Sequence, residues 1–155
     1  MIILSVDPGT TTGFAHLDTT DDASVAPVAG QLGYEQFQMM VADNYADDEV
    51  QMVIERFVLN AGSIRKSREG MHHAIQTIGV LEFLARQNDW PKPKYQLPAD
   101  VMRMVDNKSL RALGWYARGQ EHANDALRHI AVWSLKQGRI RRKDLHPNER
   151  IAEAE

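Results

Sequence analysis

Apolar positions open the chain in Ile2 to Val6, a short β-rich run that Asp7-Pro8-Gly9 closes with a turn signal. Thr12 to Leu17 predicts a returning second strand, so the chain starts as a hairpin. Asp18 to Pro27 is polar and loop-like. Gly30 to Phe37 reads as a third strand and Gln38 to Asp47 as a short helix. Gln51 to Val58 contains Met52-Val53-Ile54, a second buried-strand run that ends close to Glu55. From Ser63, a fitting N-cap, to Gln87, the apolar residues Met71, Ala74, Ile75, Ile78, Leu81 and Ala85 recur at helical spacing. Pro91 and Pro93 break that helix, and Lys94 to Leu97 predicts another strand. Val101 to Leu113 is helical but irregular, Gly114 and Gly119 bracket a loop, and Glu121 to Lys136 forms a last helix that Gly138 stops. This order implies an α/β domain with helices packed on a mixed sheet.

Length turns that pattern into one domain. The 155 residues suit a single core over 1–138, followed by a basic and then acidic C-terminal tail over 139–155. No run of about 18 apolar residues offers a membrane span. The N-terminal run has no basic leader or small-residue cleavage site and reads as a buried strand, so a cytoplasmic, intracellular setting is expected. The sequence has no cysteine, which excludes disulfide scaffolds and thiolate metal sites; any metal must be held by oxygen or imidazole.

Net charge is -3, so a DNA-coating basic protein is excluded and the distribution matters more than the sum. Arg65, Lys66 and Arg68 cluster in one segment, and Arg139, Arg141, Arg142 and Lys143 in another. Acid gathers in Asp18, Asp21 and Asp22, in Asp43, Asp47, Asp48 and Glu49, and at the extreme tail. Such separation fits a protein that meets phosphate through one face; each cluster alone fits a solvated helix end equally well.

Three carboxylates stand where packing alone would not place them. Asp7 follows Ile-Ile-Leu-Ser-Val, Glu55 follows Met-Val-Ile, and Asp125 sits in a helix otherwise lined by Leu127, Ile130 and Ala131. An ionised carboxylate there is costly unless paired or bound to a cation. If the two strands are neighbours and the helix crosses their ends, the three converge, and their repulsion favours a hard divalent ion such as Mg2+. His122 lies three residues before Asp125 on the same helical face, and His129 one turn beyond it. Other readings stand beside this one. Asp7 can cap its turn, Glu55 can pair with Arg56, Asp125 can be an exposed helix residue, and His122 can simply start the helix.

Three motifs together resemble the RuvC family of Holliday-junction resolvases. Ile2-Ile3-Leu4-Ser5-Val6-Asp7-Pro8-Gly9, with Thr12-Gly13 after it, resembles the family's opening strand and turn. Val53-Ile54-Glu55 resembles its glutamate strand, and His122-Ala123-Asn124-Asp125-Ala126-Leu127 its C-terminal helix motif. The resemblance implies a ribonuclease-H-like fold with a mixed central β-sheet flanked by α-helices. It implies that Asp7, Glu55 and Asp125, with His122 in the variable position, are catalytic and bind two Mg2+ ions, for which Mn2+ substitutes, with no organic cofactor. It further implies a homodimer that nicks opposed strands of a four-way junction, with the helix around Met71 to Leu84 at the dimer contact. Phe57 or Val58 stands where the family inserts an apolar side chain into the junction centre, although both also suit a core. Arg56, Phe57, Arg65, Lys66, Arg68, Lys108, Arg139, Arg141 and Arg142 are the DNA-binding candidates.

The chain departs from the family between Pro98 and Leu113. Met102-Arg103 and Asn107-Lys108 replace a longer, lysine-containing Gly-rich segment. That departure fits a divergent or phage-type member without a branch-migration partner or strict sequence preference. Two rival classes share parts of the pattern. Asp7-Pro8-Gly9-Thr10-Thr11 also resembles the phosphate loop of actin-like and sugar-kinase nucleotide-binding proteins, which need two such lobes. A non-catalytic junction-binding protein is the other.

Overall fold

A computed structural model describes residues 1–57 and 68–146. In chain order its elements are β1 (Ile2–Asp7), β2 (Thr11–Asp18), β3 (Val28–Gly33), α1 (Tyr34–Asn44), β4 (Val50–Glu55), α2 (Arg68–Gln87), β5 (Lys94–Gln96), α3 (Pro98–Met104), α4 (Asn107–Ala112), α5 (Glu121–Lys136) and α6 (Arg142–Leu145). The five strands form one sheet in the order β3-β2-β1-β4-β5. β1 and β2, and β2 and β3, run antiparallel, whereas β1 and β4, and β4 and β5, run parallel. Among the described residues no helix is long and apolar enough to cross a membrane.

The two-residue period of a strand sorts side chains onto two helical layers. On β1 and β4, Leu4, Val6, Met52 and Ile54 pack with Phe37 and Val41 of α1 and with Leu81, Leu84 and Ala85 of α2. The alternate residues Ile3 and Val53 join Ala15 and Leu17 of β2 against Leu127, Ile130 and Ala131 of α5. Both faces of β1 and β4 are therefore covered, which is why these strands read as unbroken apolar runs. Ser5 interrupts one run on the α5 side, and its hydroxyl donates to the Ala126 carbonyl at 2.8 Å, so its polarity is satisfied in place.

Several boundaries differ from the sequence expectation. The third strand ends at Gly33, and Tyr34 to Phe37 begin α1, because Phe37 and Val41 share a helical face and both bury completely. On α2 the buried positions are Ala74, Thr77, Leu81, Leu84 and Ala85, and Ile75 turns outward with 50% exposure. The irregular stretch after Leu97 divides into α3, with Pro98 at its first turn, and α4, which Asp106 caps by accepting from Ser109 N at 2.8 Å. Ser63 and Val58 lie outside the described residues. The segment read as a tail from 139 continues the core: Ile140 and Leu145 are buried beside α5. Arg139 ties this segment to the β2–β3 loop by donating to the carbonyls of Thr19 and Asp21, at 2.9 Å each.

Leu145→Ala is expected to lower stability by about 2–5 kcal/mol, the usual cost of a cavity at a fully buried leucine. Urea unfolding followed by circular dichroism measures it, and an unchanged midpoint would show that α6 contributes nothing to the core.

Candidate active site

Strand register builds the site. The β1–β4 pairing runs Ile2 with Val50 through Val6 with Ile54, so Asp7 and Glu55 follow next at the same ends of adjacent parallel strands. Asp7 is also paired with Gly13 of β2, and Glu55 with Gln96 of β5. Gly13, Asp7, Glu55 and Gln96 thus form one row across the sheet, on the face that α5 covers.

The first two turns of α5 lie over that row. His122, Asp125 and His129 recur at intervals of three and four residues, which sets them on one side of the helix. His122 Nδ1 stands 2.9 Å from Asp7 Oδ2, and His129 Nε2 stands 2.9 Å from Glu55 Oε2. The other ring nitrogen of His129 is 2.9 Å from Gln96 Oε1, so this buried imidazole joins β4 to β5. Gly13 permits the close approach. A Cβ there would stand 1.9 Å from the His122 carbonyl oxygen, so no other residue fits without moving helix or strand.

One ligand atom from each of Asp7, His122 and Asp125 lies within 4.8 Å of the others. Two carboxylates and an imidazole are a donor set for a hard divalent cation such as Mg2+ or Mn2+. Glu55 stands outside this trio. It borders an adjoining cleft of about 190 Å3, walled also by Asp125, Arg128, His129 and Met102. Glu55, expected from the sequence to share the ion, is not a member of this trio.

Electrostatics mark the trio as short of positive charge. Burial pushes the Asp7 carboxyl up to about 6, with repulsion from Glu55 and Asp125 adding to the rise and the His122 hydrogen bond opposing it. Burial also raises Asp125, against the attraction of Arg128 and together with repulsion from Glu55. The Asp7 hydrogen bond raises His122. A bound cation would offset the burial and repulsion that raise the proton affinity of Asp7, and the residues present therefore fit a metal.

No protein-family model and no curated protein sequence matches the chain. Among solved structures it is similar to "T. thermophilus RuvC in complex with Holliday junction substrate", at a TM-score of 0.60 and 13% identity, over 90% of this chain and 97% of that one. The chain has a RuvC-like, ribonuclease-H-like fold. At this identity the likeness is one of backbone architecture, and the side chains must be judged by their own geometry.

The described DNA-binding candidates lie on separate segments of the chain. Arg56 and Phe57 follow Glu55 directly, Arg56 exposed and Phe57 half-buried. Lys108 is exposed on α4 beside Asn107, which lines the cleft that Asp125 and Arg128 share. Arg68 is exposed at the start of α2, and Arg65 and Lys66 lie outside the described residues. Arg139, Arg141 and Arg142 follow the far end of α5, roughly 16 Å or more along the helix from Asp125. Arg139 is committed to two loop carbonyls, and Arg141 lies 3.6 Å from Asp144. Sequence reasoning missed Arg128 as a member of the site. Its signal was available: a cation one turn after Asp125.

The raised proton affinity of Asp7 has a consequence for stability. Between about pH 4 and 6 the native carboxyl keeps a proton that the unfolded chain, at the usual 3.8, has already released. Metal-free protein should therefore gain stability as pH falls through 6 and lose that gain as pH rises through it. Asp7→Asn is expected to stabilise metal-free protein at about pH 8 by roughly 1–3 kcal/mol, and to change little near pH 4. Urea midpoints at the two pH values test this; a variant weaker than the parent at the higher pH would mean that the ionised carboxylate is not the burden described.

Proposed function

We propose that the protein is a divalent-cation-dependent endonuclease that cuts branched DNA, four-way junctions above all, by hydrolysis of a phosphodiester. One observation carries this reading. Asp7 and Glu55 end adjacent parallel strands, and a crossing helix sets His122 and Asp125 over them, in a fold shared with a protein solved on a Holliday junction substrate.

Asp7, His122 and Asp125 are the residues that would hold the ion, with Glu55 at the border of the neighbouring cleft. Bound there, Mg2+ or Mn2+ would stabilise charge on the phosphoryl group and activate water for in-line attack, leaving a 5′ phosphate. His122 fixes the Asp7 carboxylate through its 2.9 Å contact, and His129 fixes Glu55 in the same way. Gln96 holds His129 from behind, so the orientation of Glu55 is set by buried groups and not by solvent. Arg56 and Lys108 stand where a DNA backbone entering the cleft would meet them, and such contacts position the duplex without reading its sequence.

The substrate's two-fold symmetry fits a two-fold dimer. α2 supports one: Ile75 and Phe83 are 50% and 56% exposed on it, and Phe83 lines a groove with Tyr34 and Gln38 of α1. Phe83→Asp is expected to convert a dimer into a monomer in sedimentation experiments. A parent protein that sediments as a monomer at assay concentration would remove the dimer from this proposal.

Labelled four-way junction, fork, flap and linear duplex, each with and without Mg2+, test the activity. Metal-dependent nicking of branched substrates is expected. Asp7→Asn should lose more than about a hundredfold in cleavage while binding the junction within a few-fold of the parent. Cleavage retained by that variant would remove Asp7 from the centre. Junction binding with no nicking by the parent would favour a non-catalytic junction-binding protein, and calorimetric ATP binding would favour a nucleotide-binding one.

A further inference from the structure

Arg128 is a buried cation inside the site. Its side chain is 10% exposed and projects from α5 one turn after Asp125, to which Nη1 donates. Nη2 donates to Asn107 Oδ1 at 2.6 Å, which anchors the guanidinium from α4. Two clefts meet at this residue. One is lined by Glu55, Asp125 and His129, the other by Asn107, Tyr116 and Asp125.

Three features make this more than a structural ion pair. Arg128 lines the cleft that Glu55, Asp125 and His129 also line. Any second metal ion bridging Glu55 and Asp125 would have to enter beside this fixed charge. Glu55 is already engaged by His129 and does not belong to the trio of Asp7, His122 and Asp125. Finally, Arg128 Nε is buried and has no acceptor among the described residues. An orphaned donor of this kind is costly, and the guanidinium that carries it borders both clefts, where an anionic oxygen would meet its charge. Charge balance agrees. Without bound DNA, the carboxylates of Asp7, Glu55 and Asp125 are matched by one divalent ion plus one guanidinium, and a second divalent ion would overshoot by two.

We propose that Arg128 supplies the second positive charge of the centre and a donor for a phosphate oxygen, so that one divalent ion, at Asp7, His122 and Asp125, serves where the family resemblance implies two. This rests on the nuclease reading and refines it. Arg128 then acts through its own guanidinium, a permanent charge with a fixed fork that a lysine cannot reproduce.

Mn2+ titration of the full chain, read by the electron paramagnetic resonance of free Mn2+ and by calorimetry, tests the proposal without any DNA. The parent is expected to bind one ion per chain, with any further ion at least about tenfold weaker. Arg128→Met should bind two, or tighten the weaker ion at least about tenfold, because Asp125 and Glu55 lose their neighbouring cation. Arg128→Lys should keep the count at one. Two ions of similar affinity in the parent would overturn the proposal by themselves, whether or not Arg128→Met folds, as would unchanged binding in a folded Arg128→Met. A parent that cuts junctions while holding two ions would sink only the role of Arg128; one that binds no Mn2+ and cuts nothing would sink the nuclease reading as well.

Discussion

The pairing of β1 with β4 governs nearly everything that follows in this molecule. Parallel register sets Asp7 beside Glu55 at the same strand ends, and alternation sends both to the face that α5 covers. A slip of one residue would turn Glu55 toward α2 and bring Ile54 to the site, so the hydrophobic pattern that buries β4 also aims its carboxylate. Leu4, Val6, Met52 and Ile54 on one face hold the register that Asp7 and Glu55 use on the other. Packing and chemistry are therefore specified by the same residues.

Helix α5 answers the charge that this register creates. Leu127, Ile130 and Ala131 fix it to the sheet, and His122, Asp125, Arg128 and His129 are the residues it brings to the site. Three of these are carboxylate partners, His122 for Asp7, Arg128 for Asp125 and His129 for Glu55, yet burial still raises the proton affinity of Asp7. A fold selected for stability alone would not bury that carboxylate. The imbalance is what a cation would correct.

Much of this was legible from the chain. The hairpin, β4 and both ends of α5 follow from apolar runs, Asp7-Pro8-Gly9 and Gly138, and the trio of acids with His122 stood out because carboxylates adjoin buried runs. Convergence was a conditional inference, since strand order is a long-range property. Side chains that depend on tertiary neighbours were harder to read. Arg128 went unread although it follows Asp125 by one turn, since its second partner Asn107 is distant in sequence, and Ile75 fitted the apolar period although α2 rests on Ala74, Thr77 and Leu81. The third strand was drawn too long because Leu32, Tyr34 and Phe37 read as one β-prone stretch, whereas the burial of Phe37 belongs to α1. Ile140 and Leu145 were overlooked because the charges around them dominate the composition of that segment.

The contact between Gly13 and the backbone of His122 bears on how such a domain can drift. The gap between helix and sheet at the site is set by two main chains and the lack of a methyl group, not by the fit of any particular core side chain. Hydrophobic residues elsewhere can then be exchanged over generations, provided volume and alternation persist, while the distance that brings His122 to Asp7 stays the same. Two chains of one fold can in this way be as little alike as the 13% seen against the junction-bound structure, and a domain can still keep this clearance between helix and sheet.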